Sequence, residues 1–95
     1  MRINLKEQSA IVNSIKKMDN SAKVWLFGSR TDNTKKGGDI DIAVLSKKIS
    51  RKTKFKIIYD IEKQIGEQKI DFVVSSDYSK PFFRMATESG VRIDQ

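Results

Sequence analysis

Ninety-five residues with 38% hydrophobic content allow one small domain built on a single modest core. The absence of Cys and His excludes Cys/His zinc sites, thiol nucleophiles and imidazole bases, so any metal must sit on oxygen ligands and any general base must be a carboxylate, lysine, tyrosine or water. A net charge of +7 points to a polyanionic partner or substrate.

The longest uninterrupted apolar run is VWLF at 24–27, too short for a membrane span, and MRINLKEQSA at the start has no apolar signal core. The expected place of action is the cytoplasm, with no membrane contact. Asn4 followed by Glu7 forms the pattern of a capping box, and Leu5, Ile11, Val12, Ile15 and Met18 recur at helical spacing. Residues 5–18 are therefore expected to be an amphipathic helix, broken by Asp19, Asn20 and Ser21. Lys23 to Phe27 reads as a strand, apolar on both faces and so central in its sheet, with Trp25 and Phe27 as core residues.

Gly28-Ser29-Arg30 leaves that strand in a turn suited to phosphate, because backbone N–H groups there can approach an anion and Ser29 adds a hydroxyl. Asn33 suits a left-handed or helix-ending position, and Gly37 and Gly38 lead into a second strand at Asp39 to Leu45. Strand side chains alternate, so Asp39 and Asp41 share one face, roughly 6–7 Å apart, while Ile40, Ile42 and Val44 take the other. Like charges this close work against folding, by up to ~4 kcal/mol at 4 Å and an effective dielectric of ~20. A bound cation would reverse the sign, which marks the pair as chemistry.

Six of the ten residues from Lys47 to Lys56 are basic. The strand is expected to carry this run about 20 Å from Asp39, leaving it for association with a partner and clear of the reacting groups. Phe55, Ile58, Ile61 and Ile65 predict a second helix over 51–65, closed by Gly66. Lys69 to Ser75 is a third strand, with Ile70, Phe72 and Val74 on one face and Asp71 on the other, in the manner of the second strand. Asp77 or Ser79 is the expected cap of a last helix that carries Pro81 in its first turn and ends at Gly90, with a short strand after it.

Strand, Gly28-Ser29, nine residues, Asp39-Ile40-Asp41 and a later strand aspartate at Asp71 together resemble the nucleotidyltransferase superfamily of DNA polymerase beta. The chain looks most like the minimal members, stand-alone catalytic domains of about this length. The resemblance implies an α/β (α+β) fold, a mixed sheet of three to four strands packed on one side by about three helices, as one domain over 1–95. It implies that Asp39, Asp41 and Asp71 are catalytic, with Asp39 and Asp41 holding Mg²⁺ or Mn²⁺ and Asp71 completing a second metal site or activating the attacking hydroxyl, and that Gly28, Ser29 and Arg30 bind the triphosphate of ATP. Arg30 would touch a phosphate or brace an aspartate.

Minimal members look like one half of a toxin–antitoxin pair with a helical HEPN-type partner, silenced by transfer of AMP to its tyrosine. The alternatives are transfer to RNA or a small molecule, and an antitoxin that acts by binding alone. No nucleic-acid motif is visible, and few aromatics are candidates for exposure. The interval from Ser29 to Asp39 is one residue shorter than in many relatives, and Asn33 stands where glycine is frequent.

Overall fold

The computed structural model describes residues 3–28 and 39–95. Three helices, α1 (Leu5–Met18), α2 (Arg51–Ile65) and α3 (Pro81–Ser89), accompany four strands, β1 (Lys23–Phe27), β2 (Ile40–Leu45), β3 (Ile70–Ser75) and β4 (Val91–Arg92). The sheet order is β3-β2-β1-β4. β1 pairs antiparallel with β2 and with β4, whereas β2 and β3 run parallel. Parallel neighbours need a crossover connection, and α2 supplies it. The result is the mixed α+β arrangement the sequence predicts, with β1 central as expected.

The helix boundaries follow from their caps. The Asn4 side chain accepts from the Glu7 N–H at 2.8 Å and the Glu7 carboxylate accepts from the Asn4 N–H at 3.0 Å, completing the capping box. Ser50 caps α2 by accepting from the Thr53 N–H at 3.2 Å, and Gly66 closes it at φ +89°, a conformation that disfavours side chains. For α3 the expected caps are corrected. Lys80 stands at the cap position with no side-chain bond, because the Asp77 carboxylate accepts from the Ser79 N–H and hydroxyl, in a turn ahead of the helix. Pro81 opens the helix with its φ already set.

Strand alternation divides the interior into two clusters. Val24, Leu26, Ile40, Ile42, Val44 and Phe72 face Ile11 and Ile15 of α1 and Ile57 and Ile61 of α2. Trp25, Phe27 and Ala43 face the opposite way, against Phe83 and Ala86 of α3. The expectation of three helices on one side is thereby corrected: two cover one face and α3 covers the other. The periodicity also placed Phe55 inward, yet Ile57 takes that position and Phe55 is 62% exposed. Leu5 and Met18, at the ends of α1, are exposed as well.

Polar contacts seal the edges. Ser14 of α1 donates to Asp60 of α2 at 2.7 Å, and Lys17 lies 3.5 Å from the same carboxylate. The buried Asp19 carboxylate accepts from the Ser46 hydroxyl at 2.6 Å and from the Ser21 N–H at 3.0 Å, tying the end of α1 to the end of β2. These bonds, Ser46 foremost, hold its carboxyl below the ordinary carboxylate range despite burial. No helix among the described residues is long and apolar enough to cross a membrane.

Candidate active site

The open end of the α3-side face carries the candidate chemistry. Phe27 is the register partner of Asp41 on β2, and Asp41 is the register partner of Asp71 on β3. One row therefore runs Phe27–Asp41–Asp71 across three strands, with neighbouring strands about 4.8 Å apart. The next row, Trp25–Ala43–Val73, lies under α3. A nine-residue helix is only about 14 Å long. It roofs that second row and leaves the aspartate row at the mouth of a cleft of about 460 Å³.

Asp41 is half-buried. Its carboxyl is pushed up to about 6, first by burial, then by the hydrogen bond to Asp71 and the negative charges of Asp71 and Asp39, with Lys69 opposing. Asp39 lies one residue before β2, and Lys69 Nζ is 3.5 Å from its Oδ2. The same Lys69 accepts at its carbonyl from the Ile40 N–H at 3.0 Å, which fastens the start of β2 to the start of β3. Among the described residues no three acidic side chains are gathered in position to hold one metal ion together. The close pair is Asp41 with Asp71, and Asp39 is engaged by Lys69. Two oxygen-donor carboxylates a strand spacing apart, one of them strained toward its neutral form, fit a hard divalent cation.

Gly28 closes the site from the β1 side at φ +75°. A Cβ built there would overlap Asp41 Oδ2 and stand 3.1 Å from its Cγ, so glycine is what lets the turn pack against this carboxylate. Ser29 and Arg30, the other expected nucleotide contacts, lie outside the described residues, as do Asn33, Gly37 and Gly38. Phe27 and Phe82 form one aromatic wall of the cleft, centroids 6.1 Å apart, and Phe55 and Lys54 stand on the other side. This corrects the expected separation of the basic run, because α2 returns along the sheet and brings Lys54 back toward the aspartates. Lys47 and Lys48 instead line a separate hollow of about 300 Å³ beside Asp19 and Ser46.

Residues 9–94 match the family described as Polymerase beta, Nucleotidyltransferase. The chain belongs to this family. No curated protein matches the chain closely enough to count as a relative. Membership makes the chain a nucleotidyltransferase domain. The signal for Lys69 was present in the strand alternation, which puts it on the Asp71 face, but its pairing with Asp39 depends on the β2–β3 register. Phe82 carried no such signal, because a short helix with adjacent phenylalanines does not reveal which side of the sheet it covers.

Gly28→Ala is expected to lower transfer by about 10–100-fold through displacement of the Asp41 carboxylate. The left-handed backbone adds a folding cost of about 1–2 kcal/mol, visible as a lower melting temperature. An alanine variant with wild-type turnover would show that the Asp41 carboxylate has no required position.

Proposed function

We propose that this nucleotidyltransferase moves AMP from ATP, with Mg²⁺ or Mn²⁺, onto a protein hydroxyl, a tyrosine of a helical HEPN-type partner, and acts as the antitoxin of a cytoplasmic pair. The observation that carries the reading is the Asp41–Asp71 pair at the mouth of an aromatic-walled cleft, against the Gly28 turn. A protein that acts by binding alone has no use for a carboxylate pair that works against its own folding.

Asp41 and Asp71 would hold the metal, joined by Asp39 once it parts from Lys69. A divalent cation held there would neutralise charge developing on the phosphate oxygens and steady the leaving group. In the transfer, the acceptor oxygen bonds to the α-phosphorus of ATP, the bond from that phosphorus to the bridging oxygen breaks, and pyrophosphate leaves. Asp71, the more exposed carboxylate, takes the hydroxyl proton. Phe27 and Phe82 give that side of the cleft an apolar wall.

The test is label transfer. Radiolabel from the α-phosphate of ATP is expected on the partner protein, and label from the γ-phosphate is expected only in released pyrophosphate. Label from the γ-phosphate on protein would make the enzyme a kinase and overturn the reading. Binding gives a second readout: Mg-ATP at ten times its dissociation constant adds about 1.4 kcal/mol, a rise of about 6–10 °C in melting temperature. An unchanged melting curve at saturating Mg-ATP would remove the nucleotide from this site.

A further inference from the structure

α2 buries Ile57 and Ile61 and turns a different set of residues outward. Arg51, Lys52, Phe55, Lys56, Tyr59 and Lys63 are all exposed on this helix, with Phe55 at 62% and Tyr59 at 65%. At 100° per residue they fall within one arc, together with a single acid, half-buried Glu62. Each ring has a cation beside it: Lys54 Nζ is 5.8 Å from the Phe55 centroid and Lys63 Nζ is 5.3 Å from that of Tyr59. Four residues of helix advance about 6 Å, which spaces the rings to receive two successive unstacked bases.

We propose that this outer face of α2 binds single-stranded nucleic acid, with bases on Phe55 and Tyr59 and phosphates on the surrounding lysines and Arg51. Three observations choose this occupant. Protein interfaces are depleted in lysine, whereas here a lysine lies against each ring and Arg51, Lys52 and Lys56 share the face, with Glu62 and Glu67 beside Tyr59 as the opposing acids. A second copy of the chain would bring the same positive charges face to face. A merely solvated basic face accounts for the lysines but not for two exposed rings one helical turn apart. The face is also continuous with the acid-bearing cleft, because Phe55 belongs to both and the half-buried Lys54, off the outer arc, lines the cleft beside that ring. A strand lying along α2 would point toward Asp41 and Asp71. The sequence shows no nucleic-acid motif, and the exposure of these rings is what the fold adds.

The inference goes beyond the proposed transfer and is tested without ATP or metal, so its failure would leave that reading standing. A short fluorescent oligo(U) is titrated with the whole protein and followed by anisotropy from low to physiological salt. Binding is expected to weaken as salt rises, with a slope of about −0.7 per phosphate contact. Replacing Lys52, Lys56 and Lys63 together by Gln should reduce the slope by about 2. Tyr59→Ala and Phe55→Ala should each weaken binding on the order of tenfold, with melting temperatures unchanged because both rings are exposed. No binding at low salt would overturn the proposal. So would binding indifferent to both rings, which marks a bare polyelectrolyte surface. A poly-glutamate peptide bound as tightly as oligo(U) would overturn it too, and assign the face to an acidic protein.

Discussion

Asp41→Asn is expected to reduce nucleotidyl transfer on the order of a thousandfold while making the protein more stable at neutral pH. The carboxyl titrates near 6 in the folded chain against an ordinary 3.8. A raised acid pKa means that the folded state resists ionisation, so the unfolded state gains as pH rises from about 4 to about 6. Above that window the full cost is present; below it the cost is gone. At about 1.36 kcal/mol per pKa unit the shift is worth about 3 kcal/mol, and solvent reaching this half-buried site reduces that to about 2. Asparagine keeps the shape, carries no charge and can donate to Asp71. The variant should therefore melt about 10 °C above wild type at pH 7, and the two curves should converge near pH 4. A less stable variant at pH 7 would make Asp41 a structural residue.

The expectation of lost activity with gained stability starts from a pattern legible in the sequence before any contact was known. The spacing of Asp39 and Asp41 puts two charges on one strand face, and the repetition of the pattern at Asp71 points to the neighbouring strand. Strand and helix spans were legible for a similar reason, since Asn4, Glu7 and Gly66 are local signals acting over one turn. What escaped depends on long-range geometry. The side of the sheet that α3 takes rests on Phe83 and Ala86 meeting Trp25 and Phe27, contacts more than fifty residues apart in sequence. Burial of Asp19 needs Ser46, 27 residues on. Ile57 displaced Phe55 from the core because both lie on apolar stripes of one helix and only the sheet decides between them.

The same logic makes the segment after β4 a stability element. Asp94→Asn is expected to be the most destabilising of these single changes. The Asp94 side chain is 2% exposed, yet it accepts from the Val24 N–H at 2.8 Å, pairs with Arg92 and lies 3.2 Å from Lys16. It thus joins α1, β1 and the segment after β4. Burial alone would raise its carboxyl, but Arg92, the Val24 N–H and Lys16 outweigh burial and hold it at about 2. A depressed acid pKa stabilises the fold above the unfolded value, by about 2 kcal/mol here, and the contribution disappears as pH falls from about 4 to about 2. Removing one member of a buried charge cluster costs about 3–5 kcal/mol in general. Lys16 and Arg92 are about a quarter exposed and can turn to water, so the low end applies. A loss of about 3 kcal/mol is a large part of the 5–15 kcal/mol typical of a folded domain. The melting temperature at pH 7 should fall by about 12–20 °C, and the variant should lose Asp94's share of the acid-side decline between pH 4 and 2, keeping the share that Asp19 contributes. A shift of only a few degrees, with the acid-side decline unchanged, would mean that Arg92 and Lys16 hold the segment after β4 without their common acceptor.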